Sequence, residues 1–173
     1  MVSDKHSENI KLVDDFLFMK LGEILDRGNN KIDGKKTMQI YKEDIEKRGY
    51  SWFATNALNS GMSKKRVEYF NSKINMHGRV KILFAINDAE HDNDIAYSAD
   101  VLEVSANKIP SKCPDEAHPD VLESVCTIWV KIANLKKEND ISARMLKISS
   151  TGTDLKKAIT NSQYHFGYVS YKE

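Results

Sequence analysis

Apolar and polar positions alternate along this chain with two different periods, and the change of period divides it. Ile10, Val13, Leu17, Leu21 and Ile24 recur at helical spacing, with Phe16 and Leu25 widening the stripe, so the first segment is expected to be an amphipathic helix. The run RGNNKIDGKK, Arg27 to Lys36, breaks it with Gly, Asn and Asp. A second helix is expected from Thr37 to Arg48, with Met38, Tyr41 and Ile45 on one face and Gly49 as its stop.

From Tyr50 onward the period shortens. YSWFAT, Tyr50 to Thr55, is aromatic and β-prone. SKKRVEYFNS, Ser63 to Ser72, reads as a helix capped by Ser63. In RVKILFAIN, Arg79 to Asn87, Val80, Ile82, Phe84 and Ile86 share one face of a strand, and DIAYSADVLEV, Asp94 to Val104, returns from the HDND turn as its hairpin partner. KIPSKCPDEAHPD, Lys108 to Asp120, holds all three prolines and is expected to be a loop. Further strands are expected at Val125 to Ile132, Ala143 to Ile148 and Tyr164 to Tyr171, with a helix at Asp154 to Thr160. In the last strand Tyr164, Phe166 and Tyr168 share one face, and Gly167 on the other leaves room for a close approach.

The expected class is therefore α+β: a helical extension over residues 1–49, then a domain over 50–173 with about six strands. A small bent sheet or partly open barrel with peripheral helices fits these elements, because there is no regular βαβ alternation. No apolar run reaches the roughly 20 residues of a membrane span, and MVSDKHSEN lacks an apolar signal region. With Cys113 and Cys126 as the only cysteines, a cytoplasmic chain with reduced thiols is expected.

The net charge of +1 conceals an uneven distribution. Residues 50–81 carry +5, residues 82–123 carry −8 and residues 124–173 carry +4. Two basic blocks flanking an acidic one make a polyanion-binding face if the fold unites them, and a mixed solvated surface if it does not.

Motifs for catalysis and metal binding are poorly represented. Asp88 with His91-Asp92-Asn93-Asp94 misses the calcium-loop signature in spacing and in its glycine, so an Asp/Asn-rich turn is expected. Cys113 and His118 lie five apart without a second close ligand pair, which disfavours zinc. There is no G-x-S-x-G and no P-loop, and the residue two before Lys131 is Trp129, where a nuclease would need an acid. The expectation is a binding protein without enzyme activity, cofactor or metal.

Aromatic and amide residues remain. Trp52 and Asn56, Tyr97, Trp129 and the stretch around Ser162 and Gln163 supply stacking faces and hydrogen-bonding groups, the ingredients for holding an extruded base. Either tryptophan taken alone is more often core than cage.

The series SWFATNAL, RVKILFAIND, NDIAYSADVLEV, TIWVKIANLK and NSQYHFGYV resembles the PUA-like superfamily that includes EVE and YTH domains. It is similar in particular to the EVE-like DNA-reading domains at the N-terminus of McrB-type modification-dependent restriction ATPases, over about residues 50–171. The resemblance implies a small barrel whose pocket holds one flipped, often methylated base. By position it implies that Trp52 stacks on the base, that Asn56 and Asn87 read its edge, and that Tyr97 and Trp129 wall the cage. Ser162 and Gln163 would bond the base or its phosphate, and Lys64, Lys65 and Arg66 would hold the backbone. Such a domain binds double-stranded DNA and leaves cleavage to an AAA+ GTPase and a nuclease on other chains or later segments. An RNA-binding module of the same fold and a protein-interaction module are the alternatives, the latter using the acidic 82–123 block and the N-terminal helix as its interface.

Overall fold

The computed structural model describes residues 15–56, 63–77, 80–161 and 164–173. Their architecture is α+β, built on a mixed sheet. In chain order the elements are β1 (Phe16–Leu21), β2 (Ile24–Leu25), β3 (Lys31–Ile32), α1 (Gly34–Arg48), β4 (Ser51–Thr55) and α2 (Lys64–His77). They continue with β5 (Lys81–Ile86), β6 (Ile95–Lys112), β7 (Val125–Lys137), a 3-10 turn (Ala143–Met145), β8 (Leu146–Ile148), α3 (Leu155–Asn161) and β9 (Phe166–Tyr171). Seven strands form one sheet in the order β4-β7-β6-β5-β1-β9-β8, and β2 pairs with β3 in a separate ribbon.

The described part of the expected N-terminal helix is a strand. β1 lies inside the sheet, parallel to β5 through Leu17↔Ile82 and antiparallel to β9 through Leu17↔Tyr168. Leu17 and Leu21 enter the core on one side of the sheet, and Phe16 and Phe18 enter a second core on the other. A strand buried on both faces is an unbroken apolar run, and such a run contains the i, i+3, i+4 set of a helix as well. The boundary at residues 49 and 50 therefore cuts through a single sheet, and residues 16–21 belong to its interior.

α1 matches its expected face, with Met38 and Tyr41 buried. It begins at Gly34 because the Asp33 carboxylate caps the Lys36 N–H at 2.8 Å. It ends at Gly49, whose φ of 89° needs glycine and whose N–H donates to the Ile45 carbonyl. Buried Asp44 fastens this end, accepting from Arg48 Nε at 2.8 Å and from Ser51 Oγ at 2.6 Å at the start of β4. In α2, the Asn71 amide bonds both the N–H and the C=O of Val104 on β6, each at 2.9 Å. Tyr69 and Lys73 of α2 reach the Asp15 carboxylate at 2.8 and 3.2 Å, just before β1. The Ser63 cap holds as expected, its Oγ accepting from the Arg66 N–H.

The sheet is open, not a closed barrel, but it curls. Laid flat, β4 and β5 stand three strand spacings apart, about 14 Å. Yet the Phe53 and Phe84 rings meet with centroids 5.1 Å apart. The register irregularities at Phe84/Ala85 on β5 and at Ser98/Asp100, Val101/Glu103 and Ala106/Ser111 on β6 supply the bend. The last of these spans Pro110, which lets β6 run on to Lys112 through the first part of the expected 108–120 loop. The main core fills the concave side beneath α1 and α2.

β9 departs from its expected facing. Phe166 and Tyr168 belong to the main core, but Tyr164 precedes the strand and packs with the opposite core, stacked on Phe18 at 5.7 Å. Its hydroxyl lies over Gly167, 1.8 Å from where a Cβ would stand. The close approach at Gly167 is made by Tyr164 itself.

Candidate functional site

The expected cage is not one concavity. Trp52 is 2 % exposed and Trp129 is 0 % exposed, and both belong to a small apolar cluster with Ala117 and Cys126. Tyr97 is buried in the main core instead. The strand parity explains this: in β4 Trp52 points away from the side that Phe53 fills, and in β7 Trp129 points away from the side that Val130 fills. Trp129 Nε1 donates to the carbonyls of Ser111 at 3.1 Å and Cys126 at 3.2 Å, and its ring meets His118 edge-on at 4.9 Å. The tryptophans are core, and the cage reading of these three residues is corrected.

The segment after β6 seals that cluster. Buried His118 places Nδ1 2.8 Å from the Trp52 carbonyl and Nε2 2.9 Å from the Glu123 carbonyl, so neither ring nitrogen is left for a metal. Tyr50 donates its hydroxyl to Asp115 at 2.8 Å. Burial works against the Asp115 charge, but bonds from the Ala117 N–H and the Tyr50 hydroxyl, with Trp52 and Lys131 close by, hold its carboxyl below the ordinary range.

The remaining expected site residues scatter. Asn87 is exposed after β5, its N–H donating to the Leu21 carbonyl at 2.9 Å. Lys64 and Lys65 are exposed on the first turn of α2, and the Arg66 guanidinium lies over the Tyr168 ring at 4.7 Å. Ser162 and Gln163 lie outside the described residues. At the HDND turn, the Asp88 carboxylate accepts from the His91 N–H and sits 2.8 Å from its Nδ1; with Glu90 these are groups able to hold a cation, already engaged in closing the turn.

Among the described residues, Asn56 is an expected reader that borders a cavity. Its Oδ1 accepts from the Thr127 N–H at 2.7 Å, prolonging the β4–β7 ladder by a side chain, and its Nδ2 is 3.5 Å from the Val125 carbonyl. Beside it opens a cavity of about 190 Å³. Met19 and Leu21 of β1, Phe53 to Thr55 of β4, and Thr37 and Tyr41 of α1 line it, with Leu122, Glu123 and Cys126. β1 and β4 are four spacings apart along the sheet, so the curl alone brings them to a common space. Ile24 and Leu25 of the β2–β3 ribbon also line it while remaining 44 % and 55 % exposed, which makes its mouth apolar.

Two titratable groups in its lining are kept neutral. Burial raises the Tyr41 phenol well above its ordinary value, and burial, with the Glu123 charge adding, pushes the Cys126 thiol up to about 11. Ring faces of Tyr41 and Phe53, 5.2 Å apart, contribute aromatic surface. Sequence reading missed Met19, Leu21, Thr37, Tyr41 and Phe53 as lining residues. The one local signal was Tyr41, a polar-tipped ring on the apolar face of a helix, which needs a partner for its hydroxyl.

The described residues form a bent, open mixed sheet with a partly open cavity of about 190 Å³ lined by β1 and β4. Comparison with known proteins finds no family model, no curated protein and no solved structure that matches this chain. Among the described residues no helix is long and apolar enough to cross a membrane.

Proposed function

We propose that this chain is a DNA-binding specificity module that takes one extruded, methylated base into the cavity between β1 and β4. The observation that supports this reading is the cavity itself: the rings of Tyr41 and Phe53, with the Tyr41 phenol and the Cys126 thiol neutral, the Asn56 amide at the border and the Glu123 carboxylate also in the lining, in about 190 Å³. An apolar cavity of about 150 Å³ accommodates benzene, so this one has room for a planar ring. Extruding a base costs a few kcal/mol, and contact with aromatic faces returns roughly 1–3 kcal/mol. Phosphate contacts supply the rest, with exposed Lys64 and Lys65 as candidates. Cleavage in this reading belongs to an associated AAA+ GTPase and nuclease, as part of a modification-dependent restriction system.

The test is a fluorescence-anisotropy titration of duplexes differing by one methyl group, between about 50 and 200 mM salt. A buried methyl is worth about 0.8 kcal/mol, so the methylated duplex should bind about fourfold tighter, with affinity falling steeply as salt rises. Equal, weak and salt-insensitive binding to both duplexes ends the reading. Stronger binding to matched RNA transfers the same cavity to an RNA-binding role.

A further inference from the structure

The lining of the β1–β4 cavity holds an incomplete hydrogen bond. Tyr41 is 2 % exposed, and its hydroxyl oxygen accepts from the Ala54 N–H at 3.2 Å. Ala54 belongs to the edge strand β4, and both residues line the cavity. A tyrosine hydroxyl both accepts and donates, and among the described residues nothing accepts the Tyr41 proton. Trp129, the comparable buried ring, gives its N–H two carbonyls. Tyr41 lines this cavity, and a buried donor without an acceptor is a cost that an arriving ligand removes.

We infer that the Tyr41 hydroxyl donates to a carbonyl oxygen of the bound ring, so the preferred ligand is an oxo-base. This rests on the base-binding reading above and sharpens it. The Ala54 N–H holds the oxygen from one side, which orients the remaining proton for the ligand. The raised phenol keeps that proton in place throughout the neutral and mildly alkaline range. The donor discriminates against bases that present only a donor at that point.

The experiment compares three duplexes carrying one mismatched thymine, 2-thiothymine or 4-thiothymine, titrated against the wild-type chain and Tyr41→Phe. Sulfur keeps the ring's size but accepts a hydrogen bond poorly. Wild type should lose about three- to tenfold in affinity for the thio-duplex whose sulfur faces Tyr41, as expected for one neutral hydrogen bond. Tyr41→Phe should bind the oxo- and thio-duplexes alike. A thermal melt establishes that Tyr41→Phe is folded, and the wild-type oxo/thio comparison stands even if it is not. If wild type binds thymine and both thio-duplexes equally, or if Tyr41→Phe retains the discrimination, the Tyr41 assignment falls while base binding stands. If wild type binds none of the duplexes, the base-binding reading itself falls and the assignment with it.

Discussion

Replacing Trp129 by alanine separates a core tryptophan from a cage tryptophan. The indole is fully buried, meets His118 edge-on at 4.9 Å and donates Nε1 to two carbonyls. Truncating a buried Trp to Ala costs about 3–5 kcal/mol through lost transfer energy and the cavity left behind. The freed carbonyls of Ser111 and Cys126 push the value toward the upper end. A domain of this size holds about 5–15 kcal/mol in total, so the change removes a large fraction of its stability. At roughly 2–4 °C per kcal/mol for 150–250 residues, the melting temperature should fall by about 6–20 °C. Urea unfolding followed by far-UV circular dichroism reads the free energy directly, with an unchanged m-value as the sign that the denatured state is the same. Trp129→Phe, which keeps a ring against His118 and loses both Nε1 bonds, should fall between wild type and alanine. A Trp129→Ala protein that is less than about 1 kcal/mol destabilised but loses ligand binding would refute the core assignment and return Trp129 to the cage.

Three further outcomes follow from the same structure. Gly167→Ala would put a Cβ on top of the Tyr164 hydroxyl and should destabilise by about 1–3 kcal/mol; adding Tyr164→Ala should recover part of that loss, and strictly additive effects in a double-mutant cycle would disprove the contact. The folded Cys126 thiol titrates near 11 and an unfolded one at about 8.5, so stability contributed by the neutral thiol is complete below about pH 8.5 and is lost as pH rises through 11. Melting temperatures from pH 7 to 11 should therefore decline less steeply in Cys126→Ala than in wild type, and parallel curves would contradict the buried neutral thiol. Substituting Lys64 and Lys65 together by Gln should lower the slope of log affinity for DNA against log salt by about 1.8, and an unchanged slope would remove both from the phosphate contacts.

Much of the local structure is legible from residues close together in sequence. Asp33 and Gly49 bracket α1 because a cap is a contact across three or four residues, and the alternation in RVKILFAIN marks β5 because one strand's two faces differ in polarity. Each expected strand from Tyr50 onward has a counterpart among β4 to β9, with the first half of the expected 143–148 strand, Ala143–Met145, formed as a 3-10 turn instead. What local pattern leaves open is a segment apolar on both sides. FLFMKL is a central strand only because β5 and β9 flank it and separate cores receive its two faces, a fact residing in residues 60 to 150 positions away. The tryptophans show the same limit. Composition establishes that large aromatic rings occur at 52 and 129, but burial depends on the 113–124 segment folding back over them through His118. The cavity depends still more on tertiary structure. Met19 and Phe53 share it because bulged strands bend the sheet, and Tyr41 lines it because α1 spans the concave side. Sequence thus determines which groups are available, aromatic, amide and neutral. The curl of the sheet decides which of them meet, because a bend accumulated over several strands sums many long-range pairings that no short window contains.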